Sequence, residues 1–289
     1  MEKTRNNRKK LMLAVWVCVA LLLVAVAAAM ALEIRESRKP EAQLQSDFVP
    51  ETSEQQEESQ TGKTGWDLPK NPYGPEDFSY EGDYLVCHAG ESRIGVDVSA
   101  WQEEIDWGQV KEAGIDFAMI RFAWRGNTEG GIYEDERARE NYAGAKEAGL
   151  QVGGYFFSQA ITPEEAVEEA EFLLKMIAEW ELEMPIVYDW EFAGGPRTDG
   201  MDNEAITACA LAFCQTIEAA GYEAMVYFNP RMAYYEINLE ALKAYGLWLA
   251  MWDTEMTFPY KVDMWQYTDS GEVPGINTPV DMNILFLYE

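Results

Sequence analysis

The chain has 289 residues, 48% of them hydrophobic, with a formal charge of −29 and a single histidine, His88. That length suits one barrel-sized domain with appendages or two small domains, and the apolar content suffices for a buried core. Acidity of this degree repels nucleic acid and anionic lipid; one histidine excludes multi-histidine zinc sites and leaves a histidine triad only if His88 supplies the base.

Lys3, Arg5, Arg8, Lys9 and Lys10 against Glu2 put +4 on the first ten residues and leave −33 on the remainder. Residues 11–32, LMLAVWVCVALLLVAVAAAMAL, are an uncharged apolar run of the length a helix needs to cross a hydrocarbon layer of about 30 Å. Signal-peptide cores are shorter, about 7–15 residues. The run is therefore read as a transmembrane signal anchor behind a cytoplasmic basic tail, residues 1–10, with everything after it extracytoplasmic. Small residues at Ala27–Ala31 keep a cleaved signal peptide, and so a secreted domain, as the other reading. Residues 33–80, with ETSEQQEESQTGKTG and NPYGPED, read as an extended acidic and polar tether that buries too little to fold. The organised domain is expected over 81–289.

Within it, short β-rich runs alternate with helical stretches. RIGVDVS (93–99) precedes a helix near 106–114, FAMIRFAW (117–124) one over 134–149, and QVGGYFFS (151–158) one over 162–180. PIVYDWEF (185–192) precedes a helix over 202–221, EAMVYFN (223–229) a short one near 236–244, and LWLAMW (247–252) follows. Thr162 before Pro163 marks a helix start, and Gly149 and Gly221 mark helix ends. VDMWQYT (262–268) and VDMNILFLY (280–288) have only turn chemistry between them, which predicts an antiparallel hairpin. The fold class is α/β: an irregular TIM-like barrel of five strand–helix units plus three further strands, the last antiparallel. No nucleotide-binding glycine loop follows the first strand, so no nucleotide cofactor is expected. The cysteines make no disulfide framework: Cys18 sits in the apolar run, Cys87 stands apart, and Cys209 and Cys214 point different ways on one helix. They read as buried, idle thiols.

Chemistry centres on Asp189 and Glu191 in PIVYDWEF. Residues two apart on a strand share a face, so Val187, Asp189 and Glu191 point one way and Ile186, Tyr188 and Trp190 the other. Crowded carboxylates repel, which favours keeping one protonated, the state a general acid requires. Both lie at the C-terminal end of a parallel strand, where barrel enzymes carry their sites. Asp97 lies near the end of the first strand. Asp281 starts the last strand and reaches the same mouth if that strand is antiparallel, beside Gln266 and Tyr267. Tyr155, Phe157, Trp190, Tyr227, Trp252, Trp265 and Tyr267 crowd these strand ends. Most aromatics are core, yet a ring of them beside acids suits a sugar. Acid-catalysed glycoside hydrolysis needs carboxylates and neither metal nor cofactor. Tyr155, Tyr227, Trp252, Gln266 and Tyr267 are the candidate substrate contacts.

Seven segments now form an ordered set: GVDVSAWQ, GIDFAMIRFAWRG, VGGYFFSQA, MPIVYDWEF, LWLAMW, MWQYTDSGEVPGI and VDMNIL. Over about residues 93–288 they resemble glycoside hydrolase family 25, the bacterial and phage lysozymes that cut peptidoglycan. The resemblance implies a muramidase acting on the β-1,4 bond between N-acetylmuramic acid and N-acetylglucosamine. It implies that Glu191 is the general acid and that Asp189 orients the substrate's 2-acetamido group for attack on the anomeric carbon. Asp97 and Asp281 match the family's other acidic positions, stabilising charge or helping to activate water. Many relatives carry a histidine after the tyrosine of the third-strand motif, where this chain has Phe156. The implied partners are peptidoglycan strands and, through residues 11–32, a membrane. Two other readings stand beside this one: a glycosidase on another acetamido-sugar polymer, and a non-catalytic, membrane-anchored glycan-binding or scaffold module.

Overall fold

The computed structural model describes residues 65–253 and 255–288. The basic tail, the apolar run at 11–32 and the tether up to residue 64 lie outside the described residues. Among the described residues, no helix is long and apolar enough to cross a membrane.

A hairpin of β1 (Phe78–Glu81) and β2 (Tyr84–Cys87) precedes the main sheet. That sheet contains β3 (Glu91–Val98), β4 (Phe117–Arg125), β5 (Ile132–Glu134), β6 (Gln151–Ser158), β7 (Ile186–Trp190), β8 (Ala224–Phe228), β9 (Gly246–Ala250), β10 (Met264–Gly271) and β11 (Val280–Leu287). Spatial order runs β3-β11-β10-β9-β8-β7-β6-β4-β5, and β3 also pairs with β4, which closes an eight-stranded barrel with β5 as an appendage. Each barrel pairing is parallel except the two made by β11, which runs antiparallel to β10 and β3. The expected barrel, with its last strand reversed, is the observed one.

Helices α1 (Trp107–Glu112), α2 (Ala138–Glu147), α3 (Pro163–Met176) and α4 (Asn203–Ala219) cover the outside. Their starts are written in short polar side chains. Thr162 Oγ1 accepts from the Glu165 amide at 3.3 Å, and Asp202 Oδ1 from the Ala205 amide at 2.9 Å, each satisfying an amide the first turn leaves unpaired. Gly149 and Gly221 follow the ends of α2 and α4 at φ +78° and +91°, a left-handed conformation that glycine adopts without steric cost.

Strands buried on both faces divide the apolar residues into two layers. Phe117, Met119, Val187, Met225, Trp248 and Met264 fill the barrel interior. Ile120, Phe122, Ile186 and Tyr188 face outward against Ala166, Ala170, Leu173 and Phe213 of the helices. Burying an aromatic or long aliphatic side chain contributes about 1.5–3 kcal/mol, so both layers hold strand orientation firmly.

Two differences from expectation are large. The helix expected near 236–244 is a single π turn at Met232–Glu236, followed by i→i+3 turns such as Leu242 N to Leu239 O. The stretch expected to end the tether, residues 65–80, packs on the barrel instead. Trp66, Leu68 and Phe78 are buried, the Trp66 amide donates to Tyr260 Oη at 3.0 Å, and Lys70 bridges to Tyr260.

Candidate active site

Because β11 is reversed, its first residues meet the C-terminal ends of the parallel strands at one mouth. Asp281 of β11 lies opposite Asp97 of β3 in the antiparallel register. Asp189, the fourth residue of β7, sits beside Phe157 of β6 and Tyr227 of β8. Its neighbours Val187 and Trp190 point to opposite layers, the first into the barrel interior and the second into the helix layer. Glu191 follows directly after β7 and is half-buried.

Asp97 is 6% exposed, and two amides reach its Oδ2: Gln266 Nε2 at 2.9 Å and Asn283 Nδ2 at 2.8 Å. What fixes those amides lies one step further out. Gln266 Oε1 accepts from Trp252 Nε1 at 2.9 Å and Tyr227 Oη at 3.1 Å, while Asn283 Oδ1 accepts from Trp248 Nε1 at 2.9 Å. An indole N–H can only donate. It therefore binds the oxygen end of each amide and turns the NH2 end toward Asp97, an arrangement suited to a carboxylate acceptor.

The tyrosines report the convergence of the acids. Burial pushes the Tyr155 hydroxyl well above its usual range; Asp97, Asp189 and Asp281 push the same way and Arg121 opposes them. Burial raises Tyr227 likewise, with Glu191, Asp189, Asp97 and Asp281 all adding. Both phenols remain neutral donors at working pH. The mouth thus assembles four carboxylates, two neutral tyrosines, Trp252 and Gln266. Trp101 and Phe192, about half exposed, follow the ends of β3 and β7 with free ring surface. Among the described residues, no group of three or more His, Cys, Asp or Glu side chains is arranged to hold a metal ion.

Tyr267 does not belong to this group. Met264 and Gln266 of β10 face inward, so Trp265 and Tyr267 face out. The β1–β2 hairpin covers them: the Leu85 amide donates to Tyr267 Oη at 3.3 Å, and Phe78 packs edge-on to Trp265 at 5.2 Å. Trp190 and Trp265, also expected near the site, belong to the outer layer. His88 meets Ser79 of the hairpin at 2.6 Å. Cys87, Cys209 and Cys214 are buried free thiols, and burial pushes Cys209 up to about 12. Sequence reasoning missed Asn283 and Trp248. The signal for Asn283 was available, since it lies two residues from Asp281 on one strand and shares its face.

Known proteins share the barrel that carries this mouth. The model of the family described as glycosyl hydrolases family 25 matches residues 96–276, a span that includes Asp97, Asp189 and Glu191. The autolytic lysozyme of Clostridium acetobutylicum is 29% identical over 191 residues, covering 65% of this chain and 54% of that protein. The chain therefore spans about half the length of that relative. The modular autolysin LytC of Streptococcus pneumoniae, solved in complex with a synthetic peptidoglycan ligand, superposes with a TM-score of 0.60 at 23% identity, covering 67% of this chain and 46% of that one. A family 25 glycosyl hydrolase from Bacillus anthracis superposes with a TM-score of 0.58 at 21% identity, covering 73% of this chain and 96% of that one. These two superpositions establish a shared fold.

Proposed function

The chain belongs to glycosyl hydrolase family 25, and on that premise we propose that it is a muramidase, cleaving the β-1,4 bond between N-acetylmuramic acid and N-acetylglucosamine in peptidoglycan. The observation that carries this reading is the convergence of Asp97, Asp189 and Asp281 around Tyr155 and Tyr227, with Glu191 beside Tyr227, at the C-terminal mouth of the barrel.

Glu191 is the general acid. It donates its proton to the glycosidic oxygen as the bond from that oxygen to the anomeric carbon breaks. Asp189 orients the 2-acetamido group of the muramyl sugar, whose carbonyl oxygen forms the new bond to the anomeric carbon. Water then opens this cyclic intermediate and restores the acetamide with retained configuration, its proton passing to Glu191 by microscopic reversibility. Asp97, held by Gln266 and Asn283, supplies fixed negative charge toward the developing positive charge, with Asp281 beside it. Tyr155, Tyr227, Trp252 and Gln266 contact the sugar at the cleavage point, and the rings of Trp101 and Phe192 offer stacking surfaces along the strand.

The apolar run at 11–32 and the basic cluster before it support an anchored, extracytoplasmic placement of this domain. Carbonate-resistant membrane association that disappears when residues 1–32 are deleted is the expected result; an unchanged distribution contradicts it.

For the activity itself, the full chain is incubated with purified cell-wall suspension and clearing is followed by turbidity. Glu191→Gln keeps the shape and removes the proton, and lowers the rate by roughly 10²–10⁴-fold without changing the melting temperature. A Glu191→Gln variant with near-normal activity refutes the assignment. Binding of the glycan with no clearing by the unmodified chain favours a binding or scaffold role.

A further inference from the structure

The ladder between β6 and β7 ends at the rung Ser158–Trp190. Glu191 lies one residue beyond, at the start of a stretch, 191–202, without helix or strand. A general acid must be held within about 0.5 Å of its productive position, so something other than the ladder has to fix this residue.

Gln159 occupies the next rung on the β6 side and is fully buried. Its side-chain Nε2 donates to the backbone carbonyl of Glu191 at 2.7 Å and to the carbonyl of Ser158 at 2.6 Å. The amide thus bridges the two strands at the point where their backbones stop pairing. Gln159 is itself held on both sides. Its own carbonyl accepts from Arg197 Nε at 3.0 Å, and Arg197 pairs with Glu165 of α3. The preceding Ser158 hydroxyl donates to Glu169 Oε2 at 2.6 Å and accepts from the Ala160 amide at 3.1 Å. Asn127 Nδ2 secures the same outer segment by donating to the Ala193 carbonyl at 3.1 Å.

We propose that Gln159 is a positioning residue for the general acid: its side-chain amide replaces the missing rung of the β6–β7 ladder and sets the place of Glu191. The proposal rests on the reading of Glu191 as the acid. It has a consequence that a merely structural residue lacks. Misplacing a proton donor slows cleavage in proportion to how much the leaving group needs the proton. A sugar alcohol needs it; an electron-poor phenol leaves without it.

The full chain is therefore assayed on two substrates, peptidoglycan and an N-acetylmuramyl glycoside carrying a dinitrophenyl aglycone, with Gln159→Met and Glu191→Gln in parallel. Methionine keeps the length and volume and removes the donor. Gln159→Met is expected to lower kcat on peptidoglycan by about 10²-fold, the scale of an ångström-level misplacement. KM should stay within about twofold and kcat on the aryl glycoside within about threefold, as expected of a residue acting only through the proton transfer. If Gln159→Met does not fold, Gln159→Asn, whose amide falls short of the Glu191 carbonyl, carries the same expectation. If Glu191→Gln shows the leaving-group dependence while the folded Gln159 variant loses both substrates equally, or neither, the positioning role is overturned and the acid stands. If Glu191→Gln shows no such dependence, the acid assignment fails and the proposal falls with it.

Discussion

Two buried acids lie near the C-terminal strand ends and are held in different ways. Asp97, inside the barrel, receives neutral amides whose orientation is set by Trp248, Trp252 and Tyr227. Glu169 of α3, fully buried outside β6, accepts from Arg125 Nε at 2.6 Å and from Ser158 Oγ at 2.6 Å. Arg125 also donates to Glu168 Oε2 at 2.8 Å and to the carbonyls of Gly130 and Glu165 at 2.7 and 3.1 Å. In the helix layer a guanidinium partners the acid and ties helix to sheet. Inside the barrel, two oriented amides fix the acid's position at the mouth. A buried carboxylate thus ties two layers together where it meets arginine and is held at the mouth where it meets oriented amides.

The largest expected effect comes from breaking the helix-layer pair. Arg125→Met removes the partner of a buried carboxylate and should destabilise the domain by about 3–5 kcal/mol, read as a drop in the urea midpoint. A change below about 1 kcal/mol would remove the distinction between the two acids. Next is Asn283→Leu, which takes one donor from Asp97 and leaves the Trp248 indole N–H unpartnered. Stability should fall by only about 1–3 kcal/mol, while turnover drops more than tenfold, on the scale of losing one stabilising contact in the transition state. A stability loss with turnover intact would make the amide pair architectural too.

The third test uses pH. Burial pushes Glu169 up to about 7 from an ordinary 4.5, against the pull of Ser158 and Arg125. Between those values the folded chain holds more protons on this group than the unfolded chain. Its contribution to stability is therefore complete below about pH 4.5 and declines as pH rises to about 7. Glu169→Gln should flatten the melting temperature across that window relative to the unmodified chain. Parallel profiles would mean that the group does not titrate there. The smallest effect is expected at Tyr267, which faces away from the mouth. Tyr267→Phe should cost about 1 kcal/mol through the lost bond from the Leu85 amide and leave turnover unchanged. A turnover defect would return Tyr267 to the site.

The barrel was legible because its strands are short, β-rich and regularly punctuated, and because the turn-rich link at 269–279 calls for a reversed last strand. That reversal brings Asp281 opposite Asp97. The facing of Asp189 was legible from period two. The same rule applied to adjacent residues separates Gln266 from Tyr267, which cannot share a face, and it places Asn283 with Asp281. Gln159 was not legible, because a side chain that substitutes for a backbone rung leaves no periodic trace. Nor was the packing of residues 65–80. Trp66, Leu68 and Phe78 are scattered through a polar stretch, and their partners, including Tyr260 and Trp265, lie almost two hundred residues away in sequence.

The most direct test of the central claim is the identity of the sugar at the newly formed reducing end. Purified peptidoglycan is digested with the full chain, the ends are reduced with borohydride, and the fragments are identified by mass beside a Glu191→Gln control. The account predicts reduced N-acetylmuramic acid, formed by the unmodified chain and absent from the control; reduced N-acetylglucosamine, or equal release by both, would contradict it.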